Sequence, residues 1–219
     1  KSIPAKKFSL ESDLLEKLIS EKKINGLINN NFFLDIGTRK NLKNAPKLLF
    51  KKNFRPAAFL DRDGVINQDY GYVHKIGHFD LRPGVINGLK LIQKNNYLIF
   101  IVTNQAGIAK KKFTENNFIN LHLNFKNYLL KRNIAINDVM YCPHHPKGIL
   151  KKYRFKCDCR KPNNGMIQKI ISNYDINISK SFMIGDKYSD ELCAIKSNIY
   201  FEYAKKNFYK KMKKIIKKR

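Results

Sequence analysis

Short apolar runs alternate with amphipathic stretches from Arg55 towards the end of the chain. Each run has the length of a buried strand, and the stretches between them repeat apolar residues at helical spacing. The predicted strands are residues 57–60, 97–102, 139–141, 181–184 and 199–201. The predicted helices are residues 83–95, a long helix capped by Thr114, and residues 165–174. Repeated strand–helix units predict an α/β fold, with a Rossmann-like parallel sheet and helices on both faces.

The first 52 residues follow a different pattern, and we expect them to form a separate segment. Residues 12–19 predict a short amphipathic helix with an acidic start, and residues 41–49 predict a second helix. Residues 24–28 and 32–34 are candidate strands, and residues 51–53 are expected to be a linker. The segment is too short to be a comfortable domain by itself.

Composition limits the class of protein. The 219 residues are 43% hydrophobic, which is enough for one ordinary domain with a real core and an appendage. No apolar run approaches the roughly 18 residues of a membrane span. No apolar secretion signal follows the first residues, so we expect a cytoplasmic protein without a membrane partner.

The formal net charge of +27 suggests nucleic acid as a partner. The lysines are scattered among many Asn and Ile residues, however, a pattern typical of an AT-rich genome, so we do not expect a nucleic-acid partner. The true basic cluster is residues 204–219, where apolar residues recur at helical spacing. This tail predicts a basic amphipathic helix that is either solvated and partly docked on the protein or a site for an anionic partner.

Polar residues follow the predicted strands at their carboxyl ends, where ligands bind in open parallel sheets. The polar motifs, in chain order, are Asp61-Arg62-Asp63-Gly64, Thr103-Asn104-Gln105, Arg160-Lys161-Pro162 and Gly185-Asp186-Lys187-Tyr188-Ser189-Asp190. Carboxylates for a hard cation, next to hydroxyl, amide and cationic groups, indicate a phosphate site. Each motif alone has a plainer explanation as a solvated turn or a helix cap. Their occurrence together is hard to produce by chance.

These four motifs resemble, in the same order, those of the haloacid dehalogenase superfamily of phosphatases, over roughly residues 55–203. The resemblance implies a Mg²⁺-dependent phosphomonoesterase. Asp61 would be the nucleophile and would form an aspartyl-phosphate, while Asp63 would protonate the leaving group and then activate water. Thr103 and Lys161 would hold the phosphoryl group. Asp61, the backbone carbonyl of Asp63, and Asp186 would bind Mg²⁺.

Cysteine and histidine residues form a C-x-H…C-x-C set: Cys142, His144, Cys157 and Cys159. In a cytosolic protein such a cluster indicates a metal rather than a disulfide. Three thiolates and one imidazole suit a tetrahedral structural Zn²⁺, because a filled shell has no open position for catalysis. The alternative is free thiols beside a surface histidine, and His145 could replace His144 as the ligand.

The cysteine loop narrows the resemblance to the branch that contains heptose-bisphosphate phosphatases and histidinol-phosphatases, which implies a small sugar-phosphate substrate. Candidate substrate contacts are Asn67, Gln68, His74, Asn104, Arg160 and Lys187. Arg160 suits a distal phosphate because its planar fork can bind two oxygens at once. Ala106 and residues 110–112 depart from the pattern of the branch and leave fine specificity open.

Residues 6–49 resemble the closing part of a sugar-1-phosphate nucleotidyltransferase, through residues 8–13 and 33–38. The Gly-rich nucleotide-binding front of that family is absent, and the chain does not begin with Met. We therefore expect residues 1–52 to be a C-terminal remnant, either of a larger bifunctional protein or of a shortened chain. Fusion of a heptose nucleotidyltransferase to a heptose phosphatase would join neighbouring steps of one nucleotide-sugar pathway.

Two other functions stay open. One is another small phosphomonoesterase, acting on histidinol phosphate or on a nucleic-acid end. The other is a zinc-stabilised nucleic-acid-binding protein, although the sequence contains no RNA-binding aromatic signature and no helix-turn-helix pattern.

Overall fold

A computed structural model describes residues 9–24, 34–204 and 207–218. The strands are β1 (Ala57–Leu60), β2 (Leu98–Asn104), β3 (Asp138–Cys142), β4 (Phe182–Gly185) and β5 (Tyr200–Tyr203). The helices are α1 (Glu16–Ser20), α2 (Arg39–Asn53), α3 (Val85–Lys94), α4 (Ala106–Ala109), α5 (Glu115–Leu130), α6 (Gly165–Asn173), α7 (Tyr188–Lys196) and α8 (Phe208–Lys218). The chain divides into two units, Lys1–Ala45 and Pro46–Arg219.

The smaller unit is helical where it is described. A wide helical turn over Leu10–Leu15 runs directly into α1, which confirms the helix predicted for residues 12–19. The helix predicted for residues 41–49 is confirmed within α2. The candidate strands at 24–28 and 32–34 lie almost wholly outside the described residues. The linker predicted for residues 51–53 is wrong: they form the last turn of α2, because lysine propagates a helix well and no Gly or Pro stands there to end it.

The five strands of the larger unit form one parallel sheet in the order β3-β2-β1-β4-β5. All five predicted strands and the three predicted helices of this unit are confirmed. β1 is central, because Phe59 lies opposite Phe100 of β2 and Met183 of β4. The carboxyl ends of β1, β2 and β4 therefore meet at one edge of the sheet.

Helices cover both faces of the sheet, as the repeated strand–helix pattern predicts. Alternate residues of β1 point to opposite faces. Ala58 and Leu60 pack among apolar residues of α3, α5 and α8. Ala57 and Phe59 pack among those of α6 and α7. Because both faces are buried, the inner strands β1 and β4 are apolar throughout, and the polar side chains of the site follow at the strand ends.

The basic tail forms α8, whose apolar side is buried against the same core as α3. Phe208, Met212 and Ile215 are buried, and Lys211 turns inward to pair with Glu202. The remaining lysines of α8 face solvent. The structure thus shows the docked form of the predicted amphipathic helix. Among the described residues, none of the helices has both the length and the apolar character needed to cross a bilayer.

Candidate active site

The loop after β1 is fixed close to the end of β4. The backbone N–H of Asp61 donates to the carbonyl of Ile184 at 2.9 Å, so the pairing of the two strands continues into the loop. Gly64 has a φ of 80°, and a Cβ atom there would collide with the carboxylate of Asp186. Glycine therefore allows the acidic loop to approach Asp186 closely.

Lys161 joins three parts of the site through its ammonium group. Its Nζ donates to Asp61 Oδ1 at 2.8 Å, to Asp190 Oδ1 at 2.6 Å and to the carbonyl of Val102 at 2.8 Å. The side chain is buried, so its three N–H groups find their partners inside the protein. Lys161 is thereby fixed beside Asp61, as the predicted phosphate site requires.

Burial controls the ionisation of this pair. Burial raises the pKa of Asp61 to about 7, although the charge of Lys161 acts in the opposite direction. Burial alone would lower the pKa of Lys161, but the carboxylates of Asp61 and Asp190 more than offset this and raise it. Lys161 consequently stays charged at neutral pH, whereas Asp61 can gain or lose a proton there.

Asp190 has a larger part in the site than its motif alone indicates. Its Oδ1 binds Lys161, while its Oδ2 accepts from the backbone N–H groups of Asp186 at 3.2 Å and Lys187 at 3.0 Å. Gly185 is required beneath it, since a Cβ atom there would collide with Asp190. Asp190 caps α7 from its third position, which is a recognisable signal in the sequence, whereas its bond to Lys161 depends on the fold.

Three carboxylates could hold a cation: those of Asp61, Asp186 and Asp190 each place an oxygen within 4.8 Å of the others. Asp190 is already occupied by Lys161 and two N–H groups. Asp186 Oδ1, in contrast, is buried without a hydrogen-bond partner in the described part of the chain. Hard carboxylate oxygens suit Mg²⁺, so the predicted pair of Asp61 and Asp186 fits this ion. The carboxylate of Asp63 lies outside the group.

Asp63 is held in place by neighbouring side chains. Asn67 Nδ2 donates to its Oδ1 at 2.9 Å, and Gln105 Nε2 donates to its Oδ2 at 3.1 Å. Asn67 is fully buried, whereas its predicted role as a sugar contact would need access to the substrate. Its amide lies beneath the loop and donates to the carbonyl of Gln68 as well as to Asp63.

The end of β2 supplies a hydroxyl and an amide. β2 extends two residues further than predicted, so Thr103 and Asn104 lie on the strand itself. Thr103 Oγ1 accepts from Gln105 Nε2 at 2.9 Å. Asn104 exchanges two hydrogen bonds with the backbone of Lys161 and thereby fixes it, in addition to lining the site.

Two adjoining cavities open at this edge of the sheet. The smaller, of about 40 Å³, is lined by residues that include Asp61, Asp63, Thr103, Asn104, Lys161 and Lys187. The larger, of about 180 Å³, shares Asp63, Asn104 and Lys187 and continues towards Asp69 and Tyr72. The structure thus brings all four predicted catalytic residues together, with two of the predicted substrate contacts. The smaller cavity, which contains the predicted catalytic residues, leads into the larger one.

The other predicted substrate contacts lie outside the lining of these two cavities. His74 Nδ1 bonds the carbonyl of Tyr72 at 2.7 Å, and its ring stacks on Phe113 with centroids 5.0 Å apart. Arg160 donates to the carbonyl of His144 at 3.3 Å. Gln68 is half-buried and pairs through its backbone with Asp80. A substrate contact from these three residues requires a ligand that extends beyond the cavities.

The four predicted zinc ligands form one cluster. The three Sγ atoms lie 3.1, 3.2 and 3.5 Å apart, and His144 Nδ1 lies 3.2 Å from Cys159 Sγ and 3.7 Å from Cys142 Sγ. A tetrahedral Zn²⁺ with thiolate ligands requires about 3.8 Å between sulfurs, so the group fits a slightly expanded form of this cluster. The hydrogen bond from Cys142 lowers the pKa of Cys159 to about 5, which favours the thiolate that metals bind.

The sequence of this chain is similar to those of known phosphatases. A family model described as polynucleotide kinase 3 phosphatase matches residues 62–213. The D-glycero-beta-D-manno-heptose-1,7-bisphosphate 7-phosphatase of Escherichia coli K12 is 42% identical over 144 residues, which cover 66% of this chain and 75% of the relative. The enzyme of the same name from Salmonella typhi is 43% identical over 144 residues, which cover 66% of this chain and 77% of that relative.

Solved structures share the fold. A HAD-like phosphatase from Mesorhizobium loti superposes with a TM-score of 0.68 at 22% identity, over 75% of this chain and 85% of that one. The D,D-heptose 1,7-bisphosphate phosphatase of B. bronchiseptica, complexed with magnesium and phosphate, superposes with a TM-score of 0.62 at 24% identity. The superposition covers 73% of this chain and 86% of that one. With the 42% identical relatives and the family match, these similarities establish that the chain belongs to the haloacid dehalogenase superfamily of phosphatases.

Proposed function

We propose that this chain removes the 7-phosphate of D-glycero-D-manno-heptose 1,7-bisphosphate, as a step of nucleotide-heptose biosynthesis. The choice of substrate rests on the name shared by relatives that are 42–43% identical over two thirds of the chain. The chemistry rests on the cavity that contains Asp61, Asp63, Thr103 and Lys161.

Asp61 is the proposed nucleophile. One of its carboxylate oxygens attacks phosphorus, the bond to the sugar oxygen breaks, and an aspartyl-phosphate remains. A carboxylate and a phosphate dianion repel each other, and the charge of Lys161, fixed 2.8 Å from Asp61, offsets part of that repulsion. A Mg²⁺ ion held by Asp61 and Asp186 would supply further positive charge. The Thr103 hydroxyl donates to a phosphoryl oxygen.

Asp63 is the proposed acid and base. It gives a proton to the departing sugar oxygen and then takes one from the water that hydrolyses the aspartyl-phosphate. Asp63 lines both cavities, so its carboxylate can face the reacting phosphate and the leaving sugar together.

A structural Zn²⁺ is proposed for the cluster of three cysteines and His144. Cys159 precedes Arg160 and Lys161 directly, so a metal at this cluster would hold the segment that supplies the phosphate-binding cations. A filled four-ligand shell has no open position, which gives the ion a stabilising role.

The distal phosphate is proposed to bind basic residues beyond the cavities. Burial, followed by the charges of Arg160, Lys110 and Lys147, lowers the pKa of His145, so these side chains share one positive region. Lys110 also donates to the hydroxyl of Tyr72, at the wall of the larger cavity. A sugar that extends from the smaller cavity would bring its second phosphate towards them.

A substrate panel tests this proposal. Phosphate release is measured with heptose 1,7-bisphosphate, histidinol phosphate and a 3′-phosphorylated oligonucleotide, each with Mg²⁺ and with EDTA. We expect the heptose bisphosphate to have the highest kcat/KM and to yield the 1-phosphate. Activity confined to another substrate, or undiminished by EDTA, would contradict the proposal.

One observation favours a second candidate. The matching family model is described as a polynucleotide 3 phosphatase, and the exposed lysines of α8 could attract a nucleic acid. The oligonucleotide in the panel addresses this candidate. Its kcat/KM would have to exceed that of the sugar bisphosphate and fall steeply with added salt.

We further propose that residues 1–52 are the remnant of a sugar-1-phosphate nucleotidyltransferase, with residues 55–203 as the phosphatase domain. The helices of the smaller unit are compatible with this assignment but do not single it out. Incubation of the chain with heptose 1-phosphate and nucleoside triphosphates should release no pyrophosphate. Robust release would refute the remnant assignment.

A further inference from the structure

A guanidinium lies buried directly beneath the proposed acid. Arg62 has a relative exposure of 0% and is one of the largest fully buried side chains among the described residues. A buried guanidinium costs several kcal/mol unless its charge is paired. Arg62 finds that pairing in the residue next to it in the chain. Its Nε lies 3.0 Å from Asp63 Oδ1, and its NH2 lies 2.7 Å from both Oδ1 and Oδ2.

We propose that Arg62 is a positioning residue for the reaction: it fixes the carboxylate of Asp63 so that Oδ2 is the oxygen that exchanges the proton. This inference rests on the proposed role of Asp63. Oδ1 accepts from Arg62 Nε and from Asn67, which occupy both of its lone pairs. Arg62 NH2 gives one N–H to the carbonyl of Val73 and shares the other between Oδ1 and Oδ2. Oδ2 otherwise accepts from Gln105 alone among the described residues, so one of its lone pairs can take a proton once the shared N–H turns to Oδ1. When Oδ2 carries the proton, NH2 can keep its bond to Oδ1.

Neighbouring groups fix the orientation of the Arg62 guanidinium. NH2 also donates to the carbonyl of Val73 at 2.8 Å. The centroids of the Phe79 and Phe118 rings lie 6.0 and 5.7 Å from Cζ of Arg62. Burial and the charge of Arg62 lower the pKa of the nearby His122 to about 4, so that ring stays neutral and adds no second positive charge beside Arg62.

The expected consequence is specific to proton transfer. Asp63 gives its Oδ2 proton to the leaving oxygen while the electron pair of the P–O bond moves to that oxygen. Alkoxide leaving groups need this proton, and a stable phenolate hardly does. Loss of the Arg62 fork should therefore slow the hydrolysis of alkyl phosphates far more than that of activated aryl phosphates.

The test compares glycerol phosphate with 4-nitrophenyl phosphate in the full chain with Mg²⁺. We expect Arg62→Lys, which keeps the charge but loses the fork, to lower the alkyl-to-aryl ratio of kcat by about 10-fold or more. Arg62→Gln should lower it further. In an Asp63→Asn background, Arg62→Lys should leave the ratio within about 2-fold, because its effect acts through Asp63. Arg132→Lys, on an exposed arginine, is the matched control.

An equal loss on both esters would overturn the inference, as would a further fall of the ratio in the Asp63→Asn background. Circular dichroism and thermal melting of both Arg62 variants accompany the assay. If neither variant folds, Arg62 serves stability rather than positioning, and the inference fails. If the wild-type chain of the same preparation releases no phosphate from heptose 1,7-bisphosphate, the proposed function itself fails, which is a distinct result.

Discussion

Asn104 and the backbone of Lys161 exchange a reciprocal pair of hydrogen bonds. Asn104 Nδ2 donates to the Lys161 carbonyl at 3.0 Å, and the Lys161 N–H donates to Asn104 Oδ1 at 3.1 Å. The end of β2 is thereby joined to the segment that follows the cysteine cluster. A residue that lines both cavities thus also fixes the backbone of the lysine that would bind the phosphoryl group.

Asn104→Ala should lower kcat by about 10- to 100-fold, because a small displacement of Lys161 weakens the stabilisation of the transferring phosphoryl group. The effect should appear equally with every phosphomonoester that the chain hydrolyses. Steady-state kinetics on two substrates measures it, with the exposed Asn116→Ala as the control. A kcat equal to that of the control would show that Lys161 keeps its place without Asn104.

Asp61→Asn should reduce turnover by about 10⁴-fold or more, because an amide cannot attack phosphorus. The fold should survive, since Lys161 retains Asp190 and Val102 as partners. Phosphate release and thermal melting are measured on the same preparation. A variant that still turns over substrate would refute the aspartyl-phosphate mechanism, and a variant that unfolds calls for Asp61→Ser.

The metal-free protein should lose stability as pH rises from about 4 to about 7. Burial raises the pKa of Asp61 from 3.8 to about 7, so the folded state binds more protons than the unfolded state between these values. The free energy of unfolding must then decrease as pH increases over that window. Urea denaturation in EDTA at several pH values from 4 to 7.5 measures it for the wild type and for Asp61→Asn. The free energy of unfolding of Asp61→Asn should increase relative to that of the wild type as pH rises. A difference between the two that does not change with pH would contradict the raised pKa of Asp61.

One equivalent of Zn²⁺ per chain is expected in protein purified without chelators. Cys159→Ala should lose the ion and lower the melting temperature, because the metal would tie together a loop with few core residues. Cys193→Ala is the matched control, since Cys193 is buried in the core outside the cluster. Elemental analysis that finds no zinc in the wild type, or an undiminished content in Cys159→Ala, would reject a zinc role for the cluster.

The parts of the site that lie at strand ends could be predicted from the sequence. An apolar run followed by Asp61 or by Thr103 places each polar side chain at the carboxyl end of a parallel strand, where the sheet brings them together. The cysteine cluster could be predicted for a similar reason, because the spacing of the residues and their ligand chemistry leave few alternatives.

The direction of a side chain within a loop could not be predicted in the same way. Asn67 follows the acidic motif closely enough to suggest a substrate contact, yet it points beneath the loop towards Asp63. Arg62 lies between two acids in the sequence, where it could have faced solvent, but it is fully buried. The position of Arg62 depends on Val73, Phe79 and Phe118, which lie outside the acidic motif and come close to it only in the folded chain.

The central position of β1 separates what can vary in this protein from what cannot. A shift of β1 by one residue would break its register with β2 and β4 at once and move Asp61 away from Lys161. Asp69 and Tyr72, which border the larger cavity, in contrast lie outside the strands, so they can be exchanged without disturbing that register. New substrates can therefore be acquired by changes around the larger cavity, while the central strands keep the catalytic residues in place and the reaction stays the same.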